Sequence, residues 1–363
     1  TLAELMGVSE FLWEDFLRMQ HESLFPVLLD TPSLDEHRSR DQLRESIGRQ
    51  LRCLGEQSEQ VNALNEFKDR EMFRIDLRHI TGRIGFLDFS QEISTLAEVV
   101  VEEAAGLSYN RLCERFGAPA QPDGQECPWC ICALGKLGGR EMGFGSDVEL
   151  IFVYQGEGVT KGPDSVENSR FFEELVHTFL NAVKTRREGI FEIDLRLRPY
   201  GSAGALACTL AGFKDYYAEG GWARQLERMA LVKLRPVAGD RRLWEQVMES
   251  RDAFVYSGSP LDMENVLHLR QRQTGELVPR GAVSAKYSPG GSVDVEYYVQ
   301  AWQVAVGHLD SSVRVTNTLD AIARLAEGGH ISREWAEELG ETYGFLRRLI
   351  DALRVVRGHA KDL

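Results

Sequence analysis

No apolar run in the 363-residue sequence approaches the ~20 residues needed to cross a bilayer, so no membrane-spanning helix is expected. No leader pattern stands at the start. Cysteine is scarce, with six scattered at 53, 113, 127, 130, 132 and 208. Cys127 and Cys130 have the spacing of a redox pair or half a zinc site. No second C-x-x-C or histidine pair accompanies them, and the motif runs straight into an apolar segment. They read as small buried residues at a strand entrance, in a reducing, cytoplasmic setting. Positive charge is also short, with 42 Lys and Arg against 56 Asp and Glu and a net charge of −14. Such a chain repels phosphate backbones, and clusters as short as "TRREG" do not reverse this, so nucleic acid is not an expected partner. A single nucleotide is still compatible, because metal ions offset phosphate charge locally. The eight histidines form no H-E-x-x-H, and no G-x-S-x-G occurs, which removes the common hydrolase patterns. The chain opens at Thr1 and stops at "GHAKDL" within a helical pattern, which reads as a fragment. That ending lacks the residues of a retention signal.

What is present divides into three textures. Residues 1–125 read as helices. "AELMGVSEFLWEDFLRM" carries apolar residues at helical spacing, and "EISTLAEVVVEEAAGLSYNRLCERFG" ends at a glycine. "APAQPDGQECP" breaks the pattern and sets a boundary near 121–127. In 126–240, "WCICAL" (129–134) and "VELIFVY" (148–154) read as strands, 162–169 as a loop, and "GIFEIDLRLRP" (189–199) as a third strand closed by proline. Phe172, Leu175, Val176, Phe179, Leu180 and Val183 make one face of a helix between them. Strand, glycine turn, strand, helix, strand describes a small α/β core. Helices return from about residue 212, and 241–363 reads as a helical bundle. Tyr298, Val299, Trp302 and Val306 share one face there, and so do Trp335, Leu339, Tyr343, Leu346, Ile350 and Leu353.

The stretch "GKLGGREMGFGSDVELIF" (135–152) carries the chemistry. Residues i and i+2 of a strand point to one face, so Asp147 and Glu149 project side by side. Two carboxylates that close repel each other, and a divalent cation with a taste for hard oxygen, Mg²⁺ or Mn²⁺, relieves the repulsion. Successive amides at Gly138–Gly139 suit phosphate. Ser146 adds a hydroxyl. If the strand bearing Asp194 pairs beside "VELIFVY", a third carboxylate joins. Two metal ions ~4 Å apart would then hold attacking and leaving oxygens in line.

A glycine pair, a short loop, Asp-x-[Asp/Glu] and a later Asp resemble the DNA polymerase β-like nucleotidyltransferase superfamily. Four ordered stretches narrow this: "GKLGGREMGFGSDVELIF", "IDLRLRPYGSAGAL", "LERMALVKLRPVAGD" and "KYSPGGSVDVEYYVQ". Together, over roughly residues 60–363, they resemble the glutamine synthetase adenylyltransferase/deadenylylase family.

The resemblance implies an α+β fold, mostly helical overall, with a nucleotidyltransferase core between N-terminal helices and a C-terminal helical bundle. It implies Asp147, Glu149 and Asp194 as catalytic metal ligands, and Gly138, Gly139 and Ser146 at the nucleotide phosphates. Arg196 and Arg198, on the Asp194 face of the strand, are further phosphate candidates, and Lys136 is another, against the default reading of an exposed loop lysine. Glu227, Arg228, Lys233 and Arg235 match the family's helix after the core, and Lys233 or Arg235 would face the nucleotide. Lys286 and Glu296 match a "K…GG…E" element, from which Glu296 would join the site. Two departures stand out. Glu149 replaces the usual Asp, and Val293–Asp294 replaces a usual Arg-Glu pair.

The implied cofactor is Mg²⁺ (or Mn²⁺), with ATP, ADP and phosphate as substrates or products. Glutamine synthetase is the implied protein substrate and the PII nitrogen-signal protein a possible regulator. Full-length members carry two such modules, one adding AMP to a tyrosine and one removing it with phosphate to give ADP. "FKDREMFRIDLRHITG" resembles the AMP-removing module, so removal is the direction expected, with addition as the alternative. A catalytically decayed module that binds a nucleotide or signal protein is a further alternative. The related PII uridylyltransferase ranks lower, because it lacks the "RLRPYGSAG" and "LVKLRPVAGD" wording.

Overall fold

Ser39 accepts a hydrogen bond from the Gln42 amide while the Gln42 side chain answers the Ser39 amide, a reciprocal cap that starts α1 at Arg40–Arg52. The computed structural model describes residues 35–185 and 191–357. The expected helix over residues 3–19, Gly189–Ile190 at the head of the expected third strand, and "GHAKDL" lie outside the described residues. Two long helices follow α1, α2 (Gln57–Ile80) and α3 (Phe86–Phe116). As the sequence predicts, α3 ends at Gly117, whose φ of 80° admits glycine.

Short β1 (Pro119–Ala120) pairs with β4 (Val159–Thr160) as a small ribbon. The main sheet is built from β2 (Trp129–Ala133), β3 (Val148–Tyr154), β5 (Ile193–Asp194), β6 (Ala207–Thr209) and β7 (Arg235–Gly239). Its order is β5-β3-β2-β7. β2 runs antiparallel to β3 and β7, and both β5 and β6 run parallel to β3. The third expected strand is cut to two residues, because the chain turns at Leu195–Pro199 rather than continuing. β6 and β7 are strands the sequence reading did not propose. Pro236 in β7 is tolerated because β7 is an edge strand.

Between β2 and β3 lies the one-turn helix α4 (Gly135–Gly138). α5 (Asn168–Ala182) buries Phe171, Phe172, Leu175, Val176 and Phe179; of the face read from the sequence, Leu180 is only partly buried and Val183 is buried just past the helix end. Then come α6 (Leu210–Tyr217), α7 (Gln225–Leu231), α8 (Arg241–Val255), α9 (Met263–Leu277), α10 (Ser292–Val306), α11 (Thr318–Glu327) and α12 (Arg333–Arg357). The result is a mostly helical α+β protein.

One core joins α1, α2, α3 and α5 to one face of the sheet, through residues such as Leu96, Val100, Leu150, Phe152 and Phe179. The other face, with Cys130, Cys132, Ile151 and Val153, packs on α6, α7 and α8. Cys127, Cys130 and Cys132 are buried and all six thiols are free, which fits strand packing. Among the described residues no helix is long and apolar enough to cross a membrane.

Candidate active site

Parallel pairing of β3 with β5 puts Glu149 directly opposite Asp194 and Val148 opposite Ile193. Asp147 stands two residues before Glu149 on the same side. The three carboxylates thus arise where two strands begin to pair. Burial, then Asp194, raises the carboxyl of Asp147 above its ordinary range, and the same two causes in the same order raise Glu149. Hard oxygen donors that repel one another in this way suit a divalent cation in type and charge.

The side chains do not converge, however. Among the described residues no group of three such acids is gathered closely enough to hold a metal ion. Asp194 turns to Arg196, accepting from its Nε at 3.0 and 2.9 Å, its terminal nitrogen at 2.6 Å and its amide at 2.8 Å. Burial pushes Asp194 up, but these bonds outweigh it and hold the carboxyl below its ordinary range. The expected convergence is met in strand register and not in side-chain direction, because Arg196 supplies the positive charge a cation would bring.

Glu149 has a close neighbour that the sequence reading missed. A Cβ added to Gly135 would lie 1.2 Å from Glu149 Oε2, so the carboxylate rests on the bare Cα of Gly135, at φ +51°. By contrast, the amides of Gly138 and Gly139 are not presented to phosphate. They donate within the turn to Leu134 O (2.7 Å) and Gly135 O (3.1 Å). Gly138 is glycine for another reason, since a Cβ there would meet Lys233 O at 2.1 Å. Ser146 Oγ accepts from the Gly143 amide at 2.9 Å and holds the loop entering β3.

Lys136 is not an exposed loop lysine. It sits in α4 and reaches a largely buried polar cluster drawn from five parts of the chain. Its Nζ is ion-paired to Glu296 of α10 and lies 3.2 Å from Tyr343 Oη of α12. Lys233, in the turn before β7, donates to Glu141 at 2.6 Å. Glu141 also accepts from the Thr318 amide at the start of α11, and Tyr343 Oη lies 3.2 Å from it. Arg347 donates to Tyr343 Oη at 3.2 Å and to the Glu141 carbonyl. Three cations thus face two carboxylates. Burial pushes Glu296 up, but Lys136 and Lys233 outweigh it and hold the carboxyl well below its usual range. Burial, then Arg347, brings the Lys136 ammonium down to about 7, so the surplus proton is held most weakly there.

Other expected basic residues serve the fold. Arg198 donates to the carbonyls of Leu195, Gly204 and Ala205 at 2.8–3.1 Å, closing the turn after β5 rather than meeting phosphate or an acid. The alternation that would put Arg196 and Arg198 on one strand face ends with β5 at Asp194. Arg235 lies on β7, not on a helix, and bonds Glu98 and the Leu137 and Gly138 carbonyls. Arg228 bonds the Val255 and Ser259 carbonyls, and Glu227 caps α7. At the second departure, Val293 is buried in the cleft wall and Asp294 pairs with Arg270 at 2.6 Å.

A cleft of about 330 Å³ brings much of this together. Lys136, Ser146, Asp147, Glu149, Lys233 and Glu296 line it, with Lys286 also in the wall. Gly138, Gly139, Asp194, Arg196 and Arg198 do not. One face of α12 clamps the loop entering the site. Arg347 donates to Glu141 O, Asp351 accepts from the Phe144 amide at 2.7 Å, and Arg354 donates to Phe144 O and Gly145 O at 3.1 and 3.2 Å. The spacing of 347, 351 and 354 is the only sequence trace of this clamp, and it looks like any helix face.

The family profile described as Glutamate-ammonia ligase adenylyltransferase matches residues 1–250. A second, described as GlnD PII-uridylyltransferase, matches residues 263–363, the later helices rather than the glycine–carboxylate stretch. Relatives named bifunctional glutamine synthetase adenylyltransferase/adenylyl-removing enzyme include one from Hahella chejuensis, 32% identical over 96% of this chain and 36% of its own length. Those from Pseudomonas putida and Pseudomonas aeruginosa are each 31% identical, over 97% and 96% of this chain and 36% of their own length. The chain thus spans about 36% of the length of these curated relatives.

Proposed function

Since this chain belongs to the glutamate-ammonia ligase adenylyltransferase family, we propose that its cleft performs metal-dependent nucleotidyl transfer on glutamine synthetase, in the direction that removes AMP from a tyrosine and releases ADP. The observation that carries the reading is the register of Glu149 with Asp194, two residues on from Asp147, beside a cleft rich in cations. The direction rests on the wording of α2, "FKDREMFRIDLRHITG".

In this reading Asp147, Glu149 and Asp194 would hold Mg²⁺, or Mn²⁺, which requires Asp194 to give up its bonds to Arg196. Bound there, the ion would supply charge neutralisation and orientation for in-line displacement at phosphorus. Gly135 leaves room for the Glu149 carboxylate. Lys136 draws inorganic phosphate into the cleft, and Lys286 adds positive charge beside Asp147. An oxygen of phosphate bonds to the phosphorus of the tyrosine-linked AMP as the bond to the tyrosyl oxygen breaks. The leaving phenolate, whose conjugate acid has a pKa of about 10, then takes a proton. The clamp from α12 fixes the approach of Asp147, and no side chain acts as nucleophile.

A second reading is favoured by the bond between Asp194 and Arg196: a module that binds nucleotide or a PII-like signal protein without turnover. Incubation with adenylylated glutamine synthetase, Mg²⁺ and phosphate separates the readings. ADP release is expected. AMP transfer from labelled ATP without ADP release reverses the direction, and neither reaction leaves the binding module.

A further inference from the structure

Gln273 of α9 carries a side-chain oxygen that is buried and accepts no hydrogen bond. Six other buried side-chain atoms among the described residues make no hydrogen bond, the Nε donors of Arg40, Arg78 and Arg251 and oxygens of Asn168, Asp252 and Tyr256; Arg251 Nε and Asp252 Oδ1 are ion-paired with each other at 2.6 Å, and none of these residues lines the cleft. Gln273 does. A buried acceptor without a donor is disfavoured, and this one belongs to a side chain that lines a ligand-sized opening, where a ligand can bring the donor.

The surroundings indicate which ligand. Tyr287, in the turn after α9, and Tyr297 of α10 line the same cleft, with the amide of Gln300 beside them. These are apolar bodies with polar tips, the surface on which a planar base rests. Lys286 lies over the Tyr287 ring at 4.8 Å, and its charge acts on Asp147, which ties this patch to the carboxylate part of the cleft. α9 and α10 are thus the helical wall facing the strand-borne acids.

We propose that Gln273 is the base-reading residue of the cleft, accepting a hydrogen bond from the exocyclic amine of a 6-aminopurine nucleotide held against Tyr287 and Tyr297. The inference rests on the nucleotide reading of the cleft given above. It adds the residue that selects the base, through an amide that recognises the amine edge of adenine.

Equilibrium binding of two probes to the whole chain, with Mg²⁺ present, tests it. One is ADP. The other is the diphosphate of the same purine nucleoside without its 6-amino group, which removes the donor and adds no bulk. ADP is expected to bind the unaltered chain about five- to tenfold more tightly. In Gln273→Leu the ratio is expected to fall to about one. In Gln273→Glu, which keeps only acceptors, the preference persists even if both nucleotides bind more weakly. An equal affinity for the two probes, as when water serves Gln273 instead, overturns the inference. So does a preference that survives in Gln273→Leu, while nucleotide binding itself stands. Failure of both probes to bind the unaltered chain removes the nucleotide reading on which the inference rests.

Discussion

Glu149 and Asp194 are register partners across a parallel strand pair, yet Asp194 is held by Arg196 and Glu149 by the space over Gly135. Removing one acid from each side of this pairing tests whether the acids act together. Asp147→Asn and Asp194→Asn are each expected to lower ADP release by about a thousandfold or more. The circular dichroism spectrum should be unchanged.

Glu149→Gln relieves repulsion with Asp147 and Asp194. In chelator its Tm is expected to rise by roughly 1 to 3 °C. Mg²⁺ should then stabilise the parent chain and not the variant. A fall in Tm would show that the Glu149 charge serves the fold.

Arg196 competes with a cation for Asp194. Its side chain is exposed, so the pair is weak. Arg196→Ala is expected to tighten Mn²⁺ binding about two- to fivefold in calorimetry.

Acidity should work against cation binding. Asp147 and Glu149 hold protons to higher pH than ordinary carboxylates, and a cation must displace them. Mn²⁺ affinity should therefore begin to fall, on acidification, above the pH at which ordinary aspartates titrate. For stability the sign is opposite. Carboxyls with raised folded-state pKa destabilise the metal-free fold above that range, and protonation removes the penalty as pH falls through it. Titrating Mn²⁺ affinity and Tm together between pH 4 and 8 checks both signs.

Gly135→Ala places a methyl carbon where Glu149 Oε2 lies, at a backbone angle that disfavours side chains. Activity should be lost, with a destabilisation of about 1–3 kcal/mol by urea unfolding. Tyr343→Phe removes the hydroxyl shared by Lys136, Glu141, Glu296 and Arg347, and should cost about 1–2 kcal/mol.

The sequence made the β3 register partner visible because alternation on a strand is a local rule, and Asp194 stands among apolar neighbours that mark a strand. Helix α5 was visible through its apolar period. β6 and β7 were not, since three residues give no period and Pro236 argues against a strand until its edge position is known. Arg198 looked like a phosphate ligand because its type suits phosphate, while the carbonyls it closes upon lie in a turn that only the folded chain forms. Glu141, Tyr343 and Arg347 escaped for the same reason. Each looks ordinary in its own segment, and their meeting is a product of helices packing across more than 200 residues of sequence.

His79 of α2 reaches Asp351 of α12 at 3.0 Å, and the same carboxylate holds the Phe144 amide. Helices from the two flanks of the sheet segment therefore meet at the carboxylate that grips the loop. Excising residues 126–240 as a minimal catalytic piece would sever both grips and strip Lys136 and Lys233 of Glu296. Any attempt to shrink this molecule has to keep its two flanks, or the approach to Asp147 loses the scaffold that shapes it.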